Sequence, residues 1–161
     1  MNNNDIVRRL RFAFDLTDDQ MMKLFKNGGY KATRAEVSDW LKKEDDPAFK
    51  TIIDLHLAIF LNGFIVEKRG KKEGEEPIPE KKMNNNLVLR KLKIALNLND
   101  TDMMALFDLV GFRLSKHELS AFFRNPANPH YRPCKDQILR NFLVGLQMKY
   151  RPKTDDTDDT D

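Results

Sequence analysis

The histidines and the cysteine are the residue types in this sequence best suited to metal binding or nucleophilic chemistry. There are three histidines, His56, His117 and His130, and one cysteine, Cys134. Their spacing matches no zinc-ligand pattern. The sequence repeats itself at an offset of 82 residues, and no histidine has a histidine partner at that offset. A metal site shared by the two copies is therefore not expected.

Three carboxylates do recur at this offset and could serve general acid–base catalysis if their environments separated their pKa values. The pairs are Asp18/Asp100, Glu36/Glu118 and Asp54/Asp136. Each also has a structural explanation, because acidic residues near helix starts satisfy capping boxes and the helix dipole. No nucleophile–base pair and no phosphate-binding glycine loop accompanies them. We therefore expect no enzyme, no catalytic residue, no cofactor, no bound metal and no small-molecule substrate.

Basic clusters are the most informative functional feature. The first predicted helix is cationic in both copies, with Arg8, Arg9 and Arg11 in the first and Arg90, Lys91 and Lys93 in the second. Other basic residues follow the last helix of each copy, namely Lys68, Arg69, Lys71, Lys72, Lys149 and Arg151. Paired cationic surfaces could contact phosphates of a nucleic-acid backbone. Charged runs are more commonly solvated faces.

The second and third predicted helices of each copy resemble a helix-turn-helix. The recognition helix would run from Thr33 to Lys43, although the turn before it is longer than the three to four residues usual in this motif. The outward basic residues on and near these helices are Arg34, Lys42, Lys116 and Arg124. Helix pairs of this kind are common, so the signal has low specificity.

The repeat determines the predicted architecture. Asn2-Asn3-Asn4 recurs as Asn84-Asn85-Asn86, and the register continues without a gap until Arg69 pairs with Arg151. This predicts repeat 1 over residues 2–69, a charged Pro/Gly-containing linker over 70–83 and repeat 2 over 84–151. Residues 153–161, with five aspartates and no apolar side chain, are predicted to be a disordered acidic tail.

Each repeat is predicted to contain four helices. In the first copy these begin near Asp5, after Thr17, after Thr33 and after Pro47, and the last is expected to include Ile52 and Ile53. No alternating strand pattern competes, so the predicted fold is all-α: two tandem four-helix domains docked as a pseudo-two-fold unit. Trp40 and Phe122 are expected to be equivalent core residues. Gly63 and Gly145 are expected to mark close helix contacts, including contacts between the copies.

Composition limits the class of protein to which the chain could belong and its location in the cell. The chain has 161 residues, of which 40% are hydrophobic and 33% charged, and a formal net charge of +3. Because the tail is acidic, the net positive charge of the rest of the chain is larger than that of the whole chain. No apolar run approaches the roughly 18 residues of a membrane span, and no signal-peptide pattern is found. These features and the lone cysteine favour a cytoplasmic protein without membrane association.

Three segments resemble the YehS-like family of bacterial proteins, which contain a tandemly repeated domain of unknown function. The segments are Asn84–Leu98, Gly111–Arg124 and Asp136–Leu143. The resemblance covers nearly the whole chain apart from the acidic tail. It implies a bacterial origin and supports the duplication, but it implies no catalytic residues.

Two functions remain open. The more specific hypothesis is a non-enzymatic nucleic-acid-binding protein that uses the basic first helices and the helix-turn-helix-like pair. Its predicted contact residues are Arg8, Arg9, Arg11, Arg34, Lys42, Arg90, Lys91, Lys93, Lys116 and Arg124. The alternative is a protein–protein interaction module that binds a protein partner and no nucleic acid. Both a nucleic acid and a protein partner are consistent with the sequence.

Overall fold

The helices follow the sequence repeat. A computed structural model describes residues 1–71 and 78–153, so the predicted linker and acidic tail lie partly outside the described residues. The described chain is all-helical, without strands. Repeat 1 contains α1 (Asn3–Phe14), α2 (Asp18–Asn27), α3 (Arg34–Trp40) and α4 (Asp54–Arg69). Repeat 2 contains α5 (Asn85–Ala95), α6 (Asp100–Leu109), α7 (Lys116–Ala121) and α8 (Asp136–Tyr150).

Capping residues set most of the helix starts. Asn2, Thr17 and Thr33 each form a capping box with the residue three positions later, which satisfies backbone N–H groups that the helix leaves unpaired. The first helix therefore begins at Asn3, earlier than the predicted Asp5, because the side chain of Asn2 supplies the cap. In repeat 2, Ser115 forms the predicted box with Glu118.

The repeated asparagine triplet has a structural role. Asn4 is fully buried, and its side chain donates to the carbonyls of Trp40 and Lys50 and accepts the N–H of Ile52. Asn86 makes the matching bonds to Phe122, Arg132 and Cys134. These bonds pair buried backbone groups of an irregular segment. The prediction that Ile52 and Ile53 belong to the fourth helix is wrong, because this segment stays extended until Asp54.

The core of each repeat is built from equivalent positions. Trp40 and Phe122 are each only 5% exposed, as predicted. The ring of Trp40 lies 5.0 Å from that of Phe25, which in turn lies 5.0 Å from that of Phe60. In repeat 2, Phe107 and Phe142 form the corresponding pair at 5.6 Å.

The two repeats dock through their first and last helices. Helix α1 packs mainly against α8 of the other repeat, and α5 packs against α4. Both pairs run parallel: Met1 lies beside Asp136 and Phe12 beside Arg151 at the two ends of α1 and α8. The predicted pseudo-two-fold docking is confirmed. The C-terminal ends of the four helices meet at one edge, where the ring of Phe14 lies 5.1 Å from those of both Phe64 and Tyr150.

Gly63 and Gly145, which occupy the same position in the two repeats, mark close helix contacts within each repeat. This corrects the expectation that they mark contacts between the repeats. A Cβ atom added to Gly63 would lie 1.7 Å from the carbonyl oxygen of Leu24 in α2. One added to Gly145 would lie 2.4 Å from the carbonyl oxygen of Leu106 in α6. Glycine therefore permits the close approach of the second and fourth helices in both repeats.

In the described part of the chain, no helix combines the length and the apolar character needed to cross a membrane.

Candidate nucleic-acid interface

Two of the three basic residues of α1, Arg8 and Arg11, pair with aspartates. Arg8 pairs with Asp5 at 3.0 Å and also donates to the carbonyl of Lys42. Arg11 pairs with Asp18 at 3.0 Å and donates to the carbonyl of Leu16. These contacts secure the ends of α1 within repeat 1. They leave little uncompensated charge for a phosphate.

The corresponding residues of α5 have neutral partners. Arg90 donates to the carbonyl of Phe123 at 2.8 Å, and the ammonium of Lys93 lies 5.1 Å from the centre of the Phe123 ring. The repeat explains the difference between Arg8 and Arg90, because Leu87 occupies the position of Asp5, and Asn97 likewise occupies that of Asp15. Two acidic residues of repeat 1 are thus absent from the second basic surface. The partner of Arg11, Asp18, is retained as Asp100, which forms no ion pair with Lys93 in the described chain.

Arg69 from the end of α4 extends this surface across the interface between the repeats. Its guanidinium donates to Asn97 Oδ1 at 2.8 Å, and the carbonyl of Ile94 lies 3.4 Å away. Arg151 makes the equivalent approach to Phe12 and Asp15, but there a carboxylate lies 3.9 Å away. Each last helix therefore supports the end of the first helix of the other repeat, and among the described residues no carboxylate pairs with Arg69 as Asp15 does with Arg151.

These side chains line two adjoining open cavities of about 400 and 520 Å³. Arg69 and Asn97 belong to both cavities. We define the basic cleft by its four cationic residues, Lys68, Arg69, Arg90 and Lys93. None of the described residues lining the two cavities is acidic.

Helix dipoles explain part of this charge distribution. The C-terminal ends of α4, α5 and α8 meet at the cleft, and each such end carries partial negative charge. Cations in the last turns, such as Lys68, Arg69 and Lys93, offset it. The helix ends carry only partial charges, however, whereas each side chain carries a full one. The cleft therefore stays cationic.

Lys91 and Arg9 lie away from the basic cleft. The side chain of Lys91 is 12% exposed and pairs with Glu80 at 2.9 Å, while Asn62 Oδ1 accepts from its ammonium at 2.7 Å. Lys91 is thus part of the packing between the repeats. Arg9 lines a separate cavity on α1 with Arg140.

The third helices are too short to match the predicted recognition helix. Helix α3 ends at Trp40, three residues before Lys43, and α7 has only six residues. Arg34 pairs with Asp18 and Asp19, and Lys42 pairs with Asp39. The remaining predicted contacts of this group are Lys116, which is exposed at the start of α7, and Arg124, whose buried Nε has no hydrogen-bond partner among the described residues.

The repeated carboxylates have structural partners. Glu36 accepts from the hydroxyl of Tyr30 at 2.5 Å and caps α3, and these bonds lower its pKa. Asn3 and the N–H of Met83 hold the pKa of Asp54 below its usual value. Asp136 is held in the same way by the amine of Met1 and by Asn85.

The histidine and cysteine positions show no assembled reactive site in the described chain. The ring of His56 lies 4.4 Å from that of Tyr30 and 5.6 Å from that of Trp40. Burial raises the pKa of Cys134 to about 12, so its thiol stays protonated. No group of three or more His, Cys, Asp or Glu residues among the described positions could hold a metal ion.

The sequence predicts Arg90 and Lys93 at the candidate surface, and the structure brings these two residues together with Lys68 and Arg69. From the sequence, Lys68 and Arg69 are recognisable only as part of the basic cluster at the end of repeat 1. Their proximity to α5 depends on the parallel packing of helices from different repeats, which the repeat register does not reveal.

Comparison with known proteins gives two matches. A family model described as "Protein of unknown function (DUF1456)" matches residues 3–70 and 85–151, one match for each repeat. The chain is 39% identical over 154 residues to the uncharacterized protein YehS of Escherichia coli (strain K12), which covers 95% of this chain and 99% of the relative. No solved structure matches.

Proposed function

Because the chain belongs to the DUF1456 family, which is described as a family of unknown function, its activity must be inferred from its surface, and we propose that it is a non-enzymatic nucleic-acid-binding protein. The phosphate backbone binds in the basic cleft. The principal contacts come from Arg69, Arg90 and Lys93, with Lys68 at the adjoining cavity. This assignment narrows the sequence-based hypothesis to one of the two basic surfaces.

The observation that supports this proposal is that no carboxylate of the described residues pairs with the cations of the cleft. Its cations make bonds to carbonyl and amide oxygens or lie against an aromatic ring. The equivalent cations Arg8, Arg11 and Arg151 all have aspartate partners. A phosphate entering the cleft would therefore gain charge-assisted bonds without displacing a carboxylate.

The shape of the cleft favours a ligand with repeated phosphates. Four cations are distributed over two cavities that share Arg69 and Asn97. A small anion would contact one part of this surface, whereas a nucleic-acid strand could contact both cavities. Release of several counterions would then drive binding, and phosphate contacts of this kind position a strand without reading its bases.

Charge-neutralising substitutions of the cleft test the proposal. The experiment titrates fluorescein-labelled single-stranded and double-stranded DNA and RNA into the wild type and into the triple variant Arg69→Gln, Arg90→Gln, Lys93→Gln. Affinity should fall for all sequences of the bound type. The slope of log K against log salt should decrease by about three if each side chain contacts one phosphate.

A matched control separates the cleft from net charge. Lys26→Gln, Lys31→Gln and Lys43→Gln remove the same charge from exposed positions of repeat 1 and should reduce affinity much less. Thermal unfolding of each variant verifies that the fold is retained. Failure of the wild type to bind any of the four nucleic acids at low salt, or equal losses in the two triple variants, would contradict the proposal.

A further inference from the structure

The groove between α4 and α5 holds a carboxylate from the chain segment that precedes α5. Glu80 precedes α5 and places Oε1 2.9 Å from the ammonium of Lys91. Asn62 of α4 accepts a second bond from the same ammonium at 2.7 Å. The cation of the first helix in repeat 2 is thus paired with a glutamate of the chain segment that precedes this helix.

The pseudo-two-fold counterpart of this groove lies between α8 and α1. There Arg9 takes the position of Lys91, Val144 that of Asn62, and Arg140 that of Ala58. A cavity of about 300 Å³ opens at this place. Its lining residues are Met1, Asp5, Arg8, Arg9 and Arg140.

Two guanidinium groups, those of Arg9 and Arg140, line this cavity. Arg140 interacts electrostatically with Asp136, whose pKa it helps to lower. Asp5 is engaged by Arg8, and the amine of Met1 is engaged by Asp136. Arg140 donates to the side chain of Gln137 at 2.9 Å. Within the described residues, no carboxylate forms an ion pair with Arg9 or Arg140 as Glu80 does with Lys91. The counterpart groove therefore offers more positive charge and contains no equivalent carboxylate.

We propose that the α1–α8 groove binds a peptide segment of a protein partner through a carboxylate side chain of that segment. A glutamate or aspartate of that segment lies between Arg9 and Arg140, in the place that Glu80 takes against Lys91. Arginine suits this role because its planar guanidinium can bind a carboxylate through two parallel bonds. The site is separate from the basic cleft and adds protein recognition to the proposed nucleic-acid binding.

The chain segment that carries Glu80 supplies the probe. An end-capped, fluorescein-labelled peptide with the sequence of residues 76–82 is titrated into the full chain and followed by fluorescence anisotropy. The peptide contains two glutamates and two lysines, so its formal charge is balanced and general electrostatic attraction is weak. Saturable binding is expected, and a second peptide carrying Glu80→Gln should bind about tenfold more weakly, because a charge-assisted bond is lost.

Protein variants locate the site. Arg9→Gln with Arg140→Gln should reduce affinity for the probe by about tenfold or more, whereas Arg113→Gln with Arg132→Gln, which removes equal charge from exposed positions, should not. Thermal unfolding confirms that both variants are folded. The proposal is overturned if no saturable binding occurs up to about 1 mM peptide, if the two peptides bind alike, or if both variants lose affinity equally. It is also overturned if labelled nucleic acid, and not the peptide, depends on Arg9 and Arg140.

Discussion

The carboxylate of Asp54 accepts the backbone N–H of Met83 at 2.9 Å, so the fourth helix of repeat 1 holds the chain entering the first helix of repeat 2. Asn3 donates to the other oxygen of the same carboxylate at 2.8 Å. One side chain thus connects α4, its own first helix and the first helix of the other repeat. Asp136 is the pseudo-two-fold counterpart.

This relationship predicts a specific acid sensitivity. The hydrogen bonds from Asn3 and Met83 lower the pKa of Asp54 in the folded state, so its stabilising contribution is complete above the unfolded-state value of about 3.9. That contribution is lost as pH falls below this value and through the lower folded-state pKa. Asp54→Asn should reduce the free energy of unfolding near neutral pH by about 0.5–1.5 kcal/mol.

Urea unfolding near pH 7 and near pH 3 measures both effects. The difference in stability between the two pH values should be smaller for Asp54→Asn than for the wild type. Asp108→Asn, at an exposed position of α6, serves as the control and should change neither quantity. An unchanged pH dependence in Asp54→Asn would contradict the role of the carboxylate.

Because α2 and α4 approach closely at Gly63, we expect its replacement by alanine to lower the free energy of unfolding. Helix propensity alone would favour alanine over glycine by about 1 kcal/mol. The added Cβ would instead meet backbone at 1.7 Å, which the helices can accommodate only by moving apart. We expect Gly63→Ala to cost about 1–3 kcal/mol or more. Gly145→Ala, with its contact at 2.4 Å, should cost less. Denaturant unfolding of the two variants tests the order, and a stabilised Gly63→Ala would refute it.

Truncation of the equivalent core aromatics should have large and similar effects. Trp40→Ala and Phe122→Ala each remove a buried ring and leave a cavity, for an expected loss of about 3–5 kcal/mol. Tm and denaturant midpoint measure the loss. Phe12→Ala is a suitable comparison because that ring is 45% exposed, and it should be less harmful. A loss below about 1 kcal/mol at either buried site would contradict the core assignment.

The first and last helices of each repeat pack against helices of the other repeat. We therefore expect one repeat alone to be unstable as a monomer. A chain of residues 1–70 lacks α5 and α8, which cover α4 and α1 in the intact protein. A unit of this size also buries limited apolar surface. We expect unfolding to occur at lower denaturant concentration and to depend on protein concentration, because a second chain can replace the missing repeat. A cooperatively folded monomer of undiminished stability, shown by sedimentation and urea unfolding, would exclude this.

The acidic tail yields a prediction from sequence, since residues 154–161 lie outside the described structure. We expect its five aspartates to compete with phosphates for the basic surface. Deleting residues 153–161 should therefore strengthen nucleic-acid binding modestly at low salt, and the gain should disappear as salt screens the charges. Replacing the five aspartates with asparagine keeps the tail length and should give the same gain. Unchanged affinity in both variants would show that the tail does not compete.

Much of the fold was predictable because it depends on local chemistry. The repeated asparagines, hydroxyl caps and apolar spacing identify the duplication, the number of helices and the buried positions of Trp40 and Phe122. These features act over a few residues, so they are readable along the chain. The start of α4 was misplaced because Asn4, distant in sequence, binds the backbone at Ile52 and keeps it extended.

The candidate sites depended on tertiary structure. The sequence alone determines which residues are basic, but only the parallel packing of α4 on α5 brings Arg69 to Asn97 and the cations of α5. The same packing buries Lys91 against Glu80, while its counterpart Arg9 stays without an acidic partner in the described chain. Charge is a property of each residue, whereas its compensation depends on partners brought close by folding, and that compensation distinguishes the two repeats.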